Sequence, residues 1–260
     1  MPTVPPLQMI RVVGPDGREH DLPCRPDRTL AQNIYVGGPF AAPALCSVLG
    51  RCGRCRVRFE TASEAPPPPL DVEREVLSDE ELAQGWRLAC RRQAEPGARV
   101  VLPEAAAGVG ARVAASLMDI EPALAQTPAQ TLGQTLGQTL GLAVDLGTTS
   151  LHWELWALGQ EGTPGEPGAE ARPLARGWEL NPQMGAGSEV MSRLAYAADP
   201  LGARELRSRV LDRLRALVAA APGTVHQLCV AGNTVMTCLL LGLPTRGLAA
   251  APYTRPYAGG

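Results

Sequence analysis

No lysine occurs among the 260 residues: all 24 Lys-plus-Arg positions are arginine. With Ala, Gly and Pro also abundant, this reads as a coding bias rather than a functional signature. A long hydrophobic run is missing too. The most apolar region, 216–243, is interrupted by Pro222, Gly223, His226, Gln227 and Asn233, which excludes a membrane span. The start, "MPTVPPLQMIRVV", lacks a charged segment leading into an apolar one, so no secretory signal is expected. Strong charge of either sign is lacking: a formal net charge of −2 gives no general pull toward nucleic acid or an anionic membrane. These absences together predict a soluble cytoplasmic protein. Its 45% hydrophobic content is enough for two modest domains.

Cysteine is where the sequence becomes specific. There are seven, an odd number, and four stand at ligand-like spacings, which in a reducing compartment favours metal binding over disulfides. In "CSVLGRCGRC", Cys46, Cys52 and Cys55 follow C-x5-C-x2-C, and Cys90 follows alone 35 residues later. Three ligands from one loop and one distant ligand is the plant-type [2Fe-2S] layout. Gly50 and Gly53 would let the backbone wrap tightly and aim N–H groups at sulfur. A zinc site more often shows two C-x2-C pairs; structural zinc and unrelated buried thiols remain the alternatives. Cys24, Cys229 and Cys238 read as small core residues. Arg51, Arg54, Arg56, Arg58, Arg91 and Arg92 flank the ligands, so the site would offer an acidic partner a basic face. The competing account of these arginines is simply that lysine is absent.

Around the cysteines, residues 7–23 alternate about "GPDG", predicting two strands and a turn. Asp27 is the expected cap of a helix through "RTLAQNIYV", and "RVRFE" reads as a strand. Pro66–Pro69 make a stiff connection. Ser78 and Glu81 fit a capping box opening a helix, "DEELAQGWRLAC", that would deliver Cys90; "ARVVLP" closes the unit as a strand. This is an α+β arrangement, one sheet with a helix on one face. Residues 105–140, with "TLGQTLGQTLG", read as a low-complexity linker.

In the remainder, "GLAVDLGTTSLHWELWAL" predicts two strands turning at Asp145–Thr149, and 160–172 an exposed loop. Leu206, Val210, Leu214 and Leu217 mark an amphipathic helix. "TVHQLCVAG" is expected as a buried strand, with Asn233 capping the next helix. "VDLGTTS" has phosphate-binding chemistry: Gly147 permits close backbone approach, Thr148, Thr149 and Ser150 supply hydroxyls, and Asp145 can hold Mg²⁺ through water. Acidic, hydroxyl-rich turns are also common without any ligand.

"CSVLGRCGRCRVRF" followed by "WRLACRRQAEPGARVVLP" resembles the N-terminal ferredoxin-type, β-grasp domain of the reductive activators of corrinoid proteins. Ser47 and Val48 stand where that family's C-G-G-x-G loop has glycines. "VDLGTTS" resembles the first phosphate loop of the actin, Hsp70 and sugar-kinase superfamily. "NPQMGAGSEVMSRL" resembles the activators' N-P-Q…G-x-D-V-x-S-R segment, with Glu189 for aspartate, and "VAGNTVMTCLLLGLP" their G-N-T-x-M segment.

The resemblance implies three parts: a [2Fe-2S] domain at 1–104, the linker at 105–140, and at 141–260 the first lobe of an α/β, actin-like (ribonuclease H-like) ATPase domain, apparently truncated. It implies a [2Fe-2S] cluster on Cys46, Cys52, Cys55 and Cys90, with ATP and Mg²⁺ at Asp145, Gly147, Thr148 and Thr149. Asn181 and Gln183 are weaker candidates, and Asn233 reads as a cap. The implied function is ATP-coupled reduction of Co(II) to Co(I) on a corrinoid iron–sulfur or other corrinoid methyl-transfer protein, fed by an upstream electron donor. The alternatives are a ferredoxin-like carrier with a non-catalytic docking lobe, or a small-molecule kinase.

Overall fold

The computed structural model describes residues 8–43, 45–60, 65–104, 139–158 and 171–254. Two compact units divide the chain: Met1–Ala111 with Pro182–Arg193, and Arg112–Asn181 with Leu194–Gly260. The expected linker lies outside the described residues apart from its two ends, and so does most of the loop expected at 160–172.

In the first unit, β1 (Met9–Val13) and β2 (Glu19–Pro23) form the expected hairpin, with Ile10 opposite Leu22 and both buried. Next comes α1 (Leu30–Tyr35). Its cap is Thr29, two residues beyond the expected Asp27: the Thr29 hydroxyl accepts from Gln32 N–H and the Gln32 side chain accepts from Thr29 N–H. A reciprocal box satisfies two orphan donors at once, which a lone aspartate two residues earlier does not. β3 (Arg56–Phe59) lies between β4 (Trp86–Leu88) and β5 (Arg99–Val101), antiparallel to both, and β5 runs parallel to β1. The sheet order β2-β1-β5-β3-β4 is the topology expected of a β-grasp. Val12, Val57, Leu88 and Val100 of the sheet and Ile34 of α1 are fully enclosed in one core, each contributing about 1.5–3 kcal/mol of burial.

Two short helices, α2 (Asp71–Arg74) and α3 (Asp79–Ala83), follow the proline run. The capping box from Ser78 to Glu81 is present, but the helix it opens does not reach Cys90. Gly85, at φ 87°, ends the helical path; Trp86–Leu88 then pairs with β3, and Cys90 comes from a single 3-10 turn, Ala89–Arg91. Pairing to a neighbouring strand overrides the local helical pattern.

The second unit is a four-stranded sheet, β8-β7-β6-β9. β6 (Thr139–Leu146), β7 (Ser150–Leu158) and β8 (Arg172–Leu180) form an antiparallel meander, and β9 (Val225–Gly232) runs parallel to β6. Its helices are the C-terminal part of α4 (Val190–Ala197), then α5 (Pro200–Ala219), α6 (Thr234–Leu241) and α7 (Arg246–Ala249). In α5, Asp199 caps the start and Leu206, Val210, Leu214 and Leu217 form the buried stripe expected.

β9 is not the buried strand expected. It pairs on one side only among the described residues, Leu228 is 47% exposed, and Cys229 is exposed rather than in the core. Apolar composition predicted burial, whereas position at the sheet edge decides it. Cys24 and Cys238 are buried as expected.

Candidate functional site

The cysteine loop is wound by an unusual run of left-handed backbone: Ser47 (φ 52°), Val48 (67°), Gly50 (77°) and Gly53 (65°). Glycine is required at 50, where a Cβ would stand 2.9 Å from Val72 Cγ2 and 3.1 Å from the Arg91 side chain. Val48 has no such freedom: a β-branched residue at positive φ is strained. The loop therefore keeps a left-handed path at both positions where the resembling family has glycine.

This path gathers the thiols as two neighbouring pairs, Cys46 with Cys52 and Cys55 with Cys90, each joined by a sulfur–sulfur hydrogen bond. Burial pushes the Cys46 thiol up, but N–H groups of Arg51, Cys52 and Gly50 and the Cys52 thiol bring it below its ordinary value. Burial pushes Cys52 up. The bond with Cys90 and burial push Cys55 far up, and the same bond brings Cys90 down. In each pair one sulfur leans toward thiolate, the form that binds metal. The expectation for Gly50 is met, since its amide serves both Cys46 and Cys90. Beside Cys55 the Tyr35 hydroxyl is buried with no partner among the described residues, and burial raises its pKa.

Two dithiol pairs suit two metal ions, two sulfurs to each. Among the described residues no three His, Cys, Asp or Glu side chains converge closely enough to hold a single ion. Four thiols divided two and two are the donor set that a binuclear, sulfur-bridged group takes. The flanking arginines divide: Arg56 pairs with Glu81, Arg58 with Glu60 and Arg92 with Glu73. Arg51, Arg54 and Arg91 are exposed, beside Leu49 at 57% exposure, and Arg91 donates to the Val48 carbonyl at 3.1 Å. Ser47 and Ser188 hydroxyls meet at 2.6 Å.

In the second unit Gly147–Thr149 is the turn between β6 and β7, as the sequence predicts. A Cβ on Gly147 would stand 2.7 Å from the Ser150 carbonyl, so glycine is needed there. Two asparagines grip the turn. Asn181 donates from its side chain to the Gly147 carbonyl (2.7 Å) and from its backbone to that of Thr149 (2.8 Å). Asn233 donates to the Thr148 hydroxyl (2.9 Å) while its own oxygen caps α6. Sequence reasoning ranked both below the turn residues, although "NPQ" and "GNT" were the signals that marked them.

It missed His152 and Trp178 altogether. His152 lies opposite Asp145 and Trp178 opposite His152, the two rings stacked at 6.4 Å; Asp145 and Trp178 are exposed, Trp178 at 62%. Strand alternation from Asp145 could have found that row. Gln183 is fully buried and accepts from Arg193, whose guanidinium burial pulls down to about 10, so it is a packing residue. Glu189 accepts from Ser192 at the start of α4. A cavity of about 750 Å³ in this unit is lined by Arg204, Arg207, Arg246 and apolar neighbours, and none of Asp145, Gly147, Thr148 or Thr149 reaches it.

Comparison with known proteins follows the same division. Residues 13–95 match the family model of the 2Fe-2S iron-sulfur cluster binding domain, and residues 140–258 match that of the RACo middle region. The two matches follow one another along the chain, each over less than half of it. The cluster-binding domain contains all four paired cysteines; the RACo middle region contains Asp145–Thr149, Asn181 and Asn233.

One component of the Na(+)-translocating NADH-quinone reductase of Chlamydia trachomatis serovar D is 31% identical over 68 residues, covering 26% of this chain and 15% of its own length. The Chlamydia muridarum protein of the same description is 29% identical over 68 residues, with the same coverage. This chain thus spans about a seventh of those relatives. Among solved structures, a reductive activator for corrinoid, iron-sulfur protein aligns over 95% of this chain and 50% of its own, at 20% identity and a TM-score of 0.37. The Trichomonas vaginalis ferredoxin aligns over 36% of this chain and 99% of its own, at 27% identity and a TM-score of 0.31. The chain thus carries a stretch like a 2Fe-2S cluster binding domain followed by one like the RACo middle region, and no described helix is long and apolar enough to cross a membrane.

Proposed function

We propose that Cys46 and Cys52 hold one iron of a [2Fe-2S] cluster and Cys55 and Cys90 the other, and that the chain delivers single electrons to the corrinoid of a methyl-transfer protein, taking Co(II) to Co(I). The observation that carries this reading is the division of the thiols into two pairs inside a domain that precedes a RACo middle region. When bound, such a cluster supplies one-electron transfer at about −400 mV. The cysteines act as ligands and not as nucleophiles. N–H groups of Gly50, Arg51, Cys52 and Arg54 offset negative charge on the sulfurs.

An acidic partner surface would meet Arg51, Arg54 and Arg91 around Leu49; exposed Asp71 and Glu75 nearby leave this rim only mildly basic. That charge would speed encounter at low salt, and the rate of reduction of the partner should then fall as salt rises.

The C-terminal unit is read as an actin-like lobe that binds Mg-ATP at Asp145, Gly147, Thr148 and Thr149. Asn181 and Asn233 hold the turn so that its amides can meet phosphate. Coupling to ATP would help an uphill transfer, where each 59 mV costs a factor of about ten for one electron.

Two experiments test the two halves. The anaerobically reconstituted protein should show a [2Fe-2S] visible spectrum that Cys90→Ser bleaches; an unchanged spectrum removes Cys90 from the ligand set. Calorimetry should show saturable Mg-ATP binding, lost in Asp145→Ala. No binding by the unsubstituted chain favours the second reading, a carrier with a docking lobe, because the Gly147 carbonyl and Thr148 hydroxyl are already engaged within the chain.

A further inference from the structure

Glu73 is the least exposed carboxylate among the described residues, at 0% exposure, and it lies in α2 rather than in either cysteine segment. Its four contacts are all with donors. One oxygen accepts from Leu88 N–H (2.9 Å) and Arg92 Nε (3.0 Å); the other accepts from Leu70 N–H (2.8 Å) and Arg92 Nη2. Leu88 and Arg92 are the residues two before and two after Cys90, so one side chain grips the Cys90 turn on both flanks.

The same segment lies against the cysteine loop: Val72, beside Glu73 in α2, faces Gly50, and Val76, two residues past α2, faces Gly53. Other contacts also hold the Cys90 segment: Ala89 N–H to the Cys55 carbonyl, the Gly50 amide to Cys90, Arg91 to the Val48 carbonyl, Leu30 N–H to the Arg92 carbonyl, and the pairing of Leu88 with Arg56. None of these reaches α2. Glu73 alone, among the described hydrogen bonds, joins the helix under the cysteine loop to the turn that carries Cys90.

We propose that Glu73 is the positioning residue of this metal centre: it fixes the separation of Cys90 from the Cys46–Cys55 loop, and so the geometry offered to the cluster. The inference rests on the reading of Cys90 as a ligand. Only a carboxylate meets four donors, because an amide would turn N–H₂ toward at least one of them and aspartate is a methylene too short. Outer partners of this kind are worth about 10–100-fold in metal affinity.

The test uses the full chain, reconstituted anaerobically with iron and sulfide, as wild type, Glu73→Gln, Arg92→Gln and Cys90→Ser. Three quantities are read: the half-life of the visible absorption under excess EDTA, the electron paramagnetic resonance spectrum of the dithionite-reduced protein, and far-UV circular dichroism for the fold. With the fold retained, Glu73→Gln should release its iron about 10–100-fold faster and show shifted g-values. Arg92→Gln, which leaves Leu70 and Leu88 bound to the carboxylate, should move both readouts the same way by less.

A folded Glu73→Gln protein with wild-type half-life and spectrum overturns the proposal. If Glu73→Gln does not fold, the decision passes to Arg92→Gln, where wild-type values overturn it equally. A wild-type protein without a [2Fe-2S] spectrum, or a Cys90→Ser protein that keeps it, would instead overturn the ligand reading. The two failures are therefore distinguishable.

Discussion

Two buried carboxylate–guanidinium pairs, one in each unit, are chemically alike and electrostatically opposite. Burial pushes the Glu73 carboxyl up, but Arg92 and the N–H groups of Leu70 and Leu88 outweigh it and hold the group below its ordinary range. Burial also pushes Glu179 up, and there Arg213 only partly offsets it, so the carboxyl stays above its ordinary range. The difference lies in the remaining lone pairs. Glu73 uses both oxygens on four donors, whereas Glu179 Oε2 and Arg213 Nη2 have no partner among the described residues. Glu179 is also the more deeply surrounded of the two, so burial and the unfilled lone pairs push its carboxyl the same way, while at Glu73 hydrogen bonds fill the places that the ion pair leaves open.

The largest expected effect follows from breaking the satisfied pair. Glu73→Ala should destabilise the first unit by about 3–5 kcal/mol, because it strands a largely buried Arg92 and orphans two backbone donors. Hydrogen exchange of amides in 8–104, read separately from those in 139–254, would localise the loss. The unsatisfied pair should behave differently. Replacing it whole, as Glu179→Leu with Arg213→Met, should be neutral or stabilise the second unit by about 1–4 kcal/mol in the same measurement. A loss there comparable to that of Glu73→Ala would end the contrast between the pairs.

pH separates them by sign. A depressed carboxyl contributes stability that is complete above its unfolded value of about 4.3 and is lost as pH falls through the folded value. A raised carboxyl does the reverse: its contribution is complete below about 4.3 and is lost as pH rises through the folded value. Relative to Glu73→Gln, the wild-type first unit should therefore gain stability with rising pH below about 4.3. Relative to Glu179→Gln, the second unit should lose it with rising pH above about 4.3. Equal slopes in the two comparisons would mean that the pairs titrate alike.

These contrasts also mark where sequence reading stops. Spacing alone picked out the four cysteines that the structure gathers into pairs, and the "GPDG" hairpin, the Ser78–Glu81 box and the Asn233 cap are encoded within a few residues of each feature. Glu73 carried no such signal. In "LDVEREV" it reads as one acid among several on a polar stretch, and its role exists only once Leu88 and Arg92 arrive from elsewhere. Trp86–Leu88 likewise became a strand through its partner in β3, and β9 became exposed through the lack of a second neighbour among the described residues. Short-range chemistry is written in the chain; burial and pairing at long range are not.

The smallest effect asks whether the clamp also restrains the strained loop. Val48 holds φ at 67° without glycine's freedom, and its carbonyl is tied to Arg91, next to Cys90. A left-handed non-glycine residue costs about 1–2 kcal/mol, and glycine returns part of that gain through the entropy of the unfolded chain. Val48→Gly should therefore stabilise the first unit by less than about 1 kcal/mol. If Glu73 holds the Cys90 turn against this strain, the gain should shrink in a Glu73→Gln background, where the turn can yield instead. Identical gains in both backgrounds, measured as a double-mutant cycle, would show that loop and clamp are energetically independent.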